Sequence, residues 1–263
     1  MVKRAYAAWT DGKITSVLPS DIKAAFPSVT KGRLVNGMKA KDRDGNLAQW
    51  TESFLSERTV EMIIMGHAIT RHPVEAEVQQ CSPISPILLA IYTSGLINWV
   101  EEYISAKGLS VVHDLGWVAT GSNVNQVVTK LEQCAAKSIE WASRWGLQFD
   151  TVETEAALFS RRRGHRKHLL PKLSAKITVG DGFIRSNEDG TCWLGIWRVV
   201  RLKFKEHHNR CMRKTRAAEA RLRTLTETYG VVPGSVQAVQ IACIQAVAQY
   251  RRELWWHPKD VGR

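Results

Sequence analysis

Two acidic residues stand where polar chemistry could be done. Asp21 follows an apolar run from Ile14 whose composition predicts a strand reaching Ile22. Asp114 belongs to a polar His113-Asp114 pair between two short apolar runs, Leu109 to Val112 and Leu115 to Thr120, which read as a β-hairpin with polar residues at its tip. The two lie far apart in the chain, so only a fold can join them. Carboxylates at strand ends suit magnesium, a hard cation that takes oxygen ligands. Ions held that way stabilise the attacking and leaving oxygens of phosphoryl transfer. Taken alone, the pair also reads as two ordinary surface aspartates.

Cationic chemistry is concentrated in two places. Arg161, Arg162 and Arg163 open a dense basic run ending at His168. From Lys203 to Arg223 there are eight Lys/Arg and two Glu, a net of +6, with Arg210, Arg213, Lys214 and Arg216 at its centre. On a helix these charges form a stripe suited to phosphates. The alternatives are a solvated face or, for the first run, a nuclear-import-like signal. His207, His208 and Cys211 have a metal-like spacing without a matching partner pair. The ten tryptophans could stack on bases, but Trp141 and Trp145 fall at core spacing.

The elements that must position these groups follow from pattern. Helices are predicted over Thr30 to Lys39 and Leu47 to Leu55, around a turn at residues 42–46, and a strand over Thr59 to Met65. Pro86 suits a first helical position, and an apolar helix is expected from there to about Lys107, stopped by Gly108. Val124 to Trp145 is the clearest helix, with Ser122 or Asn123 as its cap and Gly146 as its end. A second hairpin is expected about Gly180-Asp181-Gly182. Two helices close the chain. One carries Met212, Leu222, Leu225 and Tyr229 on one face and ends at Gly230; the other starts near Ser235 after Pro233.

The 263 residues are 44% apolar and 24% charged, enough for a sizeable core and unlike a disordered chain. Thirty-seven Lys+Arg against 25 Asp+Glu give +12, which makes nucleic acid the first candidate partner, ahead of an acidic protein or an anionic membrane, with a basic but uninvolved surface as the alternative. Five scattered cysteines read as reduced thiols of a nuclear or cytoplasmic protein. No secretory signal and no membrane span is expected.

Asp21-Ile22-Lys23-Ala24-Ala25-Phe26 resembles the first catalytic motif of reverse transcriptases. Trp50, Phe54-Leu55-Ser56 and Arg58 resemble the segment that follows it in LINE-type enzymes. Gln80-Cys81-Ser82-Pro83 is similar to a template-contacting Gln-Gly-Ser-Pro motif. Val111-Val112-His113-Asp114 resembles the Asp-Asp hairpin, and Gly146-Leu147-Gln148-Phe149-Asp150 with Glu153-Thr154-Glu155 the motif after it. Trp193-Leu194-Gly195 resembles the primer grip. Their order resembles a non-LTR (LINE-type) retrotransposon reverse transcriptase.

The resemblance implies an α+β fold. A polymerase palm, an antiparallel sheet with flanking helices, would occupy residues 1–200, and a helical thumb residues 201–263, with the fingers largely missing. It implies an RNA template, a DNA primer and deoxynucleotides as partners. Two magnesium ions would be held by Asp21, the backbone carbonyl of Ile22 and the Asp-Asp pair. Phe26 would lie under the incoming sugar, Gln80 and Ser82 near the nascent base pair, and Trp193, Leu194 and Gly195 at the primer end.

Departures point to an impaired copy. His113 stands in place of the first Asp of the pair, and imidazole is a poor magnesium ligand. Glu153 stands where the family has a lysine able to protonate the leaving group. Cys81 replaces a glycine, Pro19 interrupts the strand before Asp21, and Arg251 takes a glycine position. A non-catalytic, basic nucleic-acid-binding remnant is the alternative.

Overall fold

The computed structural model describes residues 1–41, 45–65, 67–68, 72–73, 78–80, 82–150, 155–160, 177–179, 182–186, 191–198, 202, 204–230 and 232–255. Its organising element is β1 (Ile14–Lys23), which alternates between two apolar faces. Ile14, Leu18 and Ile22 point into the larger core, while Val17 points into a smaller one on the opposite side. Beside it runs β7 (Asp114–Gly121), antiparallel, with Ile14 opposite Gly121 and Asp21 opposite Asp114. The same alternation holds there. Leu115, Trp117 and Ala119 face the larger core, and Val118 the smaller.

Strand β6 (Lys107–Val111) pairs with the outer edge of β7. On the other side of β1 lie β8 (Gln148–Asp150) and β9 (Glu155–Phe159), one after the other. The hairpin of β10 (Ile177–Val179) and β11 (Gly182–Ser186) extends the sheet to seven strands. The sheet is antiparallel except at β11, which runs parallel to β9.

The larger core is covered by α2 (Lys31–Ala40), α4 (Ser85–Tyr103) and α5 (Val124–Trp145). α3 (Gly45–Phe54) packs on α2. α5 starts and stops where its caps require. The Asn123 side chain accepts the Gln126 N–H, and Gly146 takes the left-handed conformation at φ 74°. α4 ends at Tyr103, four residues short of the expected end. Ser105 turns left-handed at φ 56°, and the Glu101 carboxylate takes both the Lys107 ammonium and the Gly108 N–H, drawing the chain into β6.

The smaller core is closed by α1 (Val2–Thr10), which sequence pattern left unassigned, and by the hairpin β12 (Thr191–Trp193) and β13 (Ile196–Arg198). Against that hairpin packs α6 (Lys205–Tyr229). Its inward positions are His207, Cys211 and Thr215 rather than the Met212 face expected from spacing; the side chains at 225 and 229 lie outside the described residues. α7 (Pro233–Val239) begins with Pro233, as a first-turn proline should, and runs on through a π-helical stretch Gln240–Gln245 into Ala246–Ala248.

The expected strand over residues 59–65 is instead two two-residue strands, β2 (Thr59–Val60) and β3 (Ile63–Ile64), each paired with its own short partner. Arg251 does occupy a glycine-favouring conformation, φ 53°. The four described cysteines are free thiols. No described helix is long and apolar enough to cross a membrane.

Candidate active site and basic cleft

The β6–β7 hairpin closes on Val111 opposite Asp114, leaving Val112 and His113 as a two-residue turn with Val112 at φ 57°. A pair closing so tight a turn exchanges both backbone hydrogen bonds. The backbone of Asp114 is therefore engaged with β6, and Asp21–Asp114 on the β1 side is a non-bonded pair. Such pairs bring side chains closest, with Cα atoms about 4.5 Å apart. Both carboxylates stand on the face of the smaller core, where the strand ends open to solvent.

The same alternation disposes of the objection to Pro19. Its nitrogen points away from β7, toward the other edge of β1, where Pro19 lies between the pairings with β9 (Thr15 to Val17) and β8 (Asp21 to Lys23). No ladder bond is lost there. It also turns the Ile22 backbone carbonyl toward the Asp114 side, beyond the last β1–β7 pair.

Directly opposed like charges repel. Burial holds the Asp114 carboxyl above its ordinary range, and the Asp21 charge pushes the same way. The neighbouring His113 and the Trp193 indole oppose the rise. The folded state thus keeps the Asp114 proton more tightly than the unfolded chain. This group favours folding below the unfolded carboxylate pKa, and that contribution is lost as pH rises through the folded value. Asp114→Asn, which cannot ionise, is expected to melt higher than the parent at neutral pH, with the gap narrowing as pH falls toward ~4. Thermal melts across that range check it; a variant less stable than the parent at neutral pH contradicts it.

Trp193 comes from β12 onto the face of β7 that carries Asp114. Its six-membered ring lies so close over Gly116 that a Cβ on Gly116 would come within 2.4 Å of Cη2 and 2.6 Å of Cζ2. Gly116 is two residues from Asp114 on the same face. Gly116→Ala is expected to cost about 1–3 kcal/mol, because a buried tryptophan must move to admit the methyl group. A denaturation midpoint equal to the parent's would refute that fit.

The turn after Trp193 puts Leu194 at φ 53° and Gly195 at φ 71°, the type I′ pattern of tight hairpins. Tyr250 packs on Gly195, and its hydroxyl donates to the Leu194 carbonyl at 2.9 Å. His207 ties the same parts together: the Trp197 N–H donates to Nδ1, and Nε2 lies 3.3 Å from the Tyr250 carbonyl. It is a hydrogen-bonded core histidine, with the Cys211 thiol beside it, and the zinc reading gains no support.

On the outer face of the hairpin, Cys192, Gly195 and Trp197 meet His207, Arg210, Cys211, Arg213 and Lys214 of α6 around a cleft of about 430 Å³. Arg210 is committed within the molecule, stacked 3.6 Å over Trp197 and paired with Glu206 at 2.8 Å. Arg213, Lys214 and Arg216 are exposed.

Phe26 is half-buried against the larger core, and its carbonyl accepts the Val78 N–H. Gln80 is exposed, and Ser82, half-buried, accepts the Ser85 N–H at the start of α4. Glu153, Cys81 and Arg161 to Arg163 lie outside the described residues.

Sequence reasoning did not assign Asp150 to the acidic row. It stands opposite Asp21 on β8, on the same sheet face, and forms an ion pair with Lys23 at 3.6 Å. Only its register with β1, invisible in sequence, would have found it. Among the described residues no group of three His, Cys, Asp or Glu side chains is arranged to hold a metal. Asp21, Asp114 and the Ile22 carbonyl are oxygen donors that fit one magnesium ion, which commonly takes one or two carboxylates and completes its shell with water or phosphate. They do not supply a bridging carboxylate for a second ion.

No protein-family model matches the sequence, and no curated protein matches it. Solved structures do. Apo telomerase from Candida tropicalis, truncated from its C-terminal domain, aligns at a TM-score of 0.51 and 12% identity, covering 76% of this chain and 38% of the other. Apo telomerase from the same organism aligns at 0.51 and 11%, covering 78% and 36%. Its complex with a TWJ fragment of telomeric RNA aligns at 0.51 and 11%, covering 94% and 43%. The chain spans less than half the length of these structures. The fold is like that of these telomerase structures, α+β with largely antiparallel pairing.

Proposed function

We propose that this chain is the palm and adjoining thumb of a LINE-type reverse transcriptase, with residues 1–200 as palm and 201–263 as thumb, and that its nucleotidyl transfer is impaired. The observation that carries this is the register of Asp21 opposite Asp114 at the open end of the two central strands. In a reverse-transcriptase-like fold that is where carboxylates for phosphoryl transfer belong. Magnesium held there by Asp21, Asp114 and the Ile22 carbonyl would supply charge stabilisation for phosphate oxygens. Phe26, hydrogen-bonded to Val78, and Gln80 and Ser82, just ahead of α4, suit the nucleotide and template side. The basic cleft behind Gly195 suits the primer backbone. His113, exposed at the hairpin tip, leaves the second ion without its ligand.

A second reading, a nucleic-acid-binding remnant without catalysis, is favoured by the incomplete acid set beside an intact basic helix. Both readings require binding to a primer–template duplex. Neutralising phosphates releases counterions, so affinity is expected to fall linearly in log–log terms with salt, by about 0.9 per phosphate contact. Arg213→Ala with Lys214→Ala should flatten that slope by about two. Fluorescence anisotropy over a salt series measures it; binding indifferent to salt would remove both readings. Primer extension on an RNA template with Mg²⁺ then separates them.

A further inference from the structure

We propose that Trp193 is a positioning residue: its indole N–H fixes the Asp114 carboxylate for a divalent cation, and the hairpin that carries it is locked in place from the C-terminal turn through Tyr250. The divalent cation in this statement rests on the function proposed above; the indole–carboxylate contact does not.

Four observations converge. Trp193 is only 7% exposed, and its Nε1 is buried yet completes no hydrogen bond of normal geometry within the protein. The indole packs over Gly116, two residues from Asp114 and on the same face of β7, so it lies along the side of the strand that carries the Asp114 carboxyl. A buried N–H is costly to leave unmade, so a slight turn of the carboxylate onto it is favoured. The ring cannot retreat. Gly116 lies against its benzo edge, and the Arg198 guanidinium stands 5.1 Å from its centroid.

Arg198 strengthens the case. It is 4% exposed, and its Nε and Nη2 have no partner. Its Nη1 donates to the Met1 thioether at 2.8 Å, and the π system of Trp193 compensates the rest of the guanidinium, an attraction that holds the ring from another side. At the far end of the hairpin, the Tyr250 hydroxyl on the Leu194 carbonyl and the His207 bridge between Trp197 and Tyr250 fix the turn. Donors behind a metal-binding carboxylate orient it, and losing one typically costs about tenfold or more in metal affinity.

The full chain carrying ¹⁵N-labelled tryptophan tests this. Trp193→Phe keeps the ring over Gly116, removes the N–H and assigns its indole resonance. Asp114→Asn is expected to move that one resonance strongly, and Tyr250→Phe to move it as well. Mn²⁺ binding, followed by electron paramagnetic resonance, should weaken about tenfold in Trp193→Phe and be lost in Asp21→Asn. If Trp193→Phe does not fold, Tyr250→Phe, changed only at a partly exposed hydroxyl, takes its place, with a smaller loss of Mn²⁺ affinity.

An indole resonance unmoved by Asp114→Asn overturns the proposal. So does a folded Trp193→Phe that binds Mn²⁺ like the parent. Mn²⁺ binding indifferent to Asp21→Asn overturns the metal role given to the pair, and with it the purpose assigned to Trp193. A shifted resonance would then still establish the contact.

Discussion

His113→Asp combined with Glu153→Lys is expected to raise primer extension on an RNA template by about 10²–10⁴-fold over the parent chain, the range typical of restoring a general acid alone. His113 is exposed at the tip of the β6–β7 hairpin, so a carboxylate fits there without repacking. It would add a third acid next to Asp21 and Asp114, already opposed across the β1–β7 pair. Without divalent cations that crowding is expected to lower the melting temperature; with Mg²⁺ the loss should be recovered. Single-turnover extension with labelled primer, beside a version also carrying Asp21→Asn, makes the measurement. A parent that already extends as fast as the doubly substituted chain would remove the impairment from the reading. Activity surviving Asp21→Asn would remove the site.

The largest stability effect is expected at Trp117. Its side chain is fully buried in β7 and faces the larger core, packed so closely on Gly108 that a Cβ there would meet its Cζ3 at 3.1 Å. Trp117→Ala should cost about 3–5 kcal/mol, through lost transfer free energy and the cavity left behind. A domain with about 5–15 kcal/mol in total is brought near unfolding by that. Trp117→Phe should cost much less, because the Trp117 Nε1 is buried without a hydrogen-bond partner and its loss sacrifices no polar contact. Urea unfolding of both variants separates packing from hydrogen bonding. Equal losses would mean that the indole nitrogen finds a partner in solution.

Elements that carry their own stop signals were legible in advance. α5 runs from Val124 to Trp145 as its periodicity and caps require, because Asn123 and Gly146 satisfy its ends locally. The β6–β7 hairpin was legible for a similar reason, although its turn falls at Val112 and His113, one residue before the polar break, and Asp114 belongs to β7 rather than to the tip. Where stability comes from distant partners, pattern failed. α1 is held by burying Ala5 and Ala8 against the sheet, and β12–β13 is only three residues a side. The segment after Thr59 has the composition of one strand, but among the described residues it pairs only in two-residue pieces.

The candidate site divides in the same way. By itself the sequence determined which residues could do the chemistry, because side-chain type sets charge and ligand preference: Asp21 and Asp114 as oxygen donors, His113 as a poor substitute, and the cations of α6. Only the tertiary structure decided their relations. Strand register set Asp21 against Asp114 and brought Asp150 opposite Asp21. The gap between β8 and β9 made Pro19 harmless, and the fit of Trp193 on Gly116 set an indole on the face of β7 that carries Asp114. Register is the sum of many long-range contacts across β1, so no local stretch of sequence contains it.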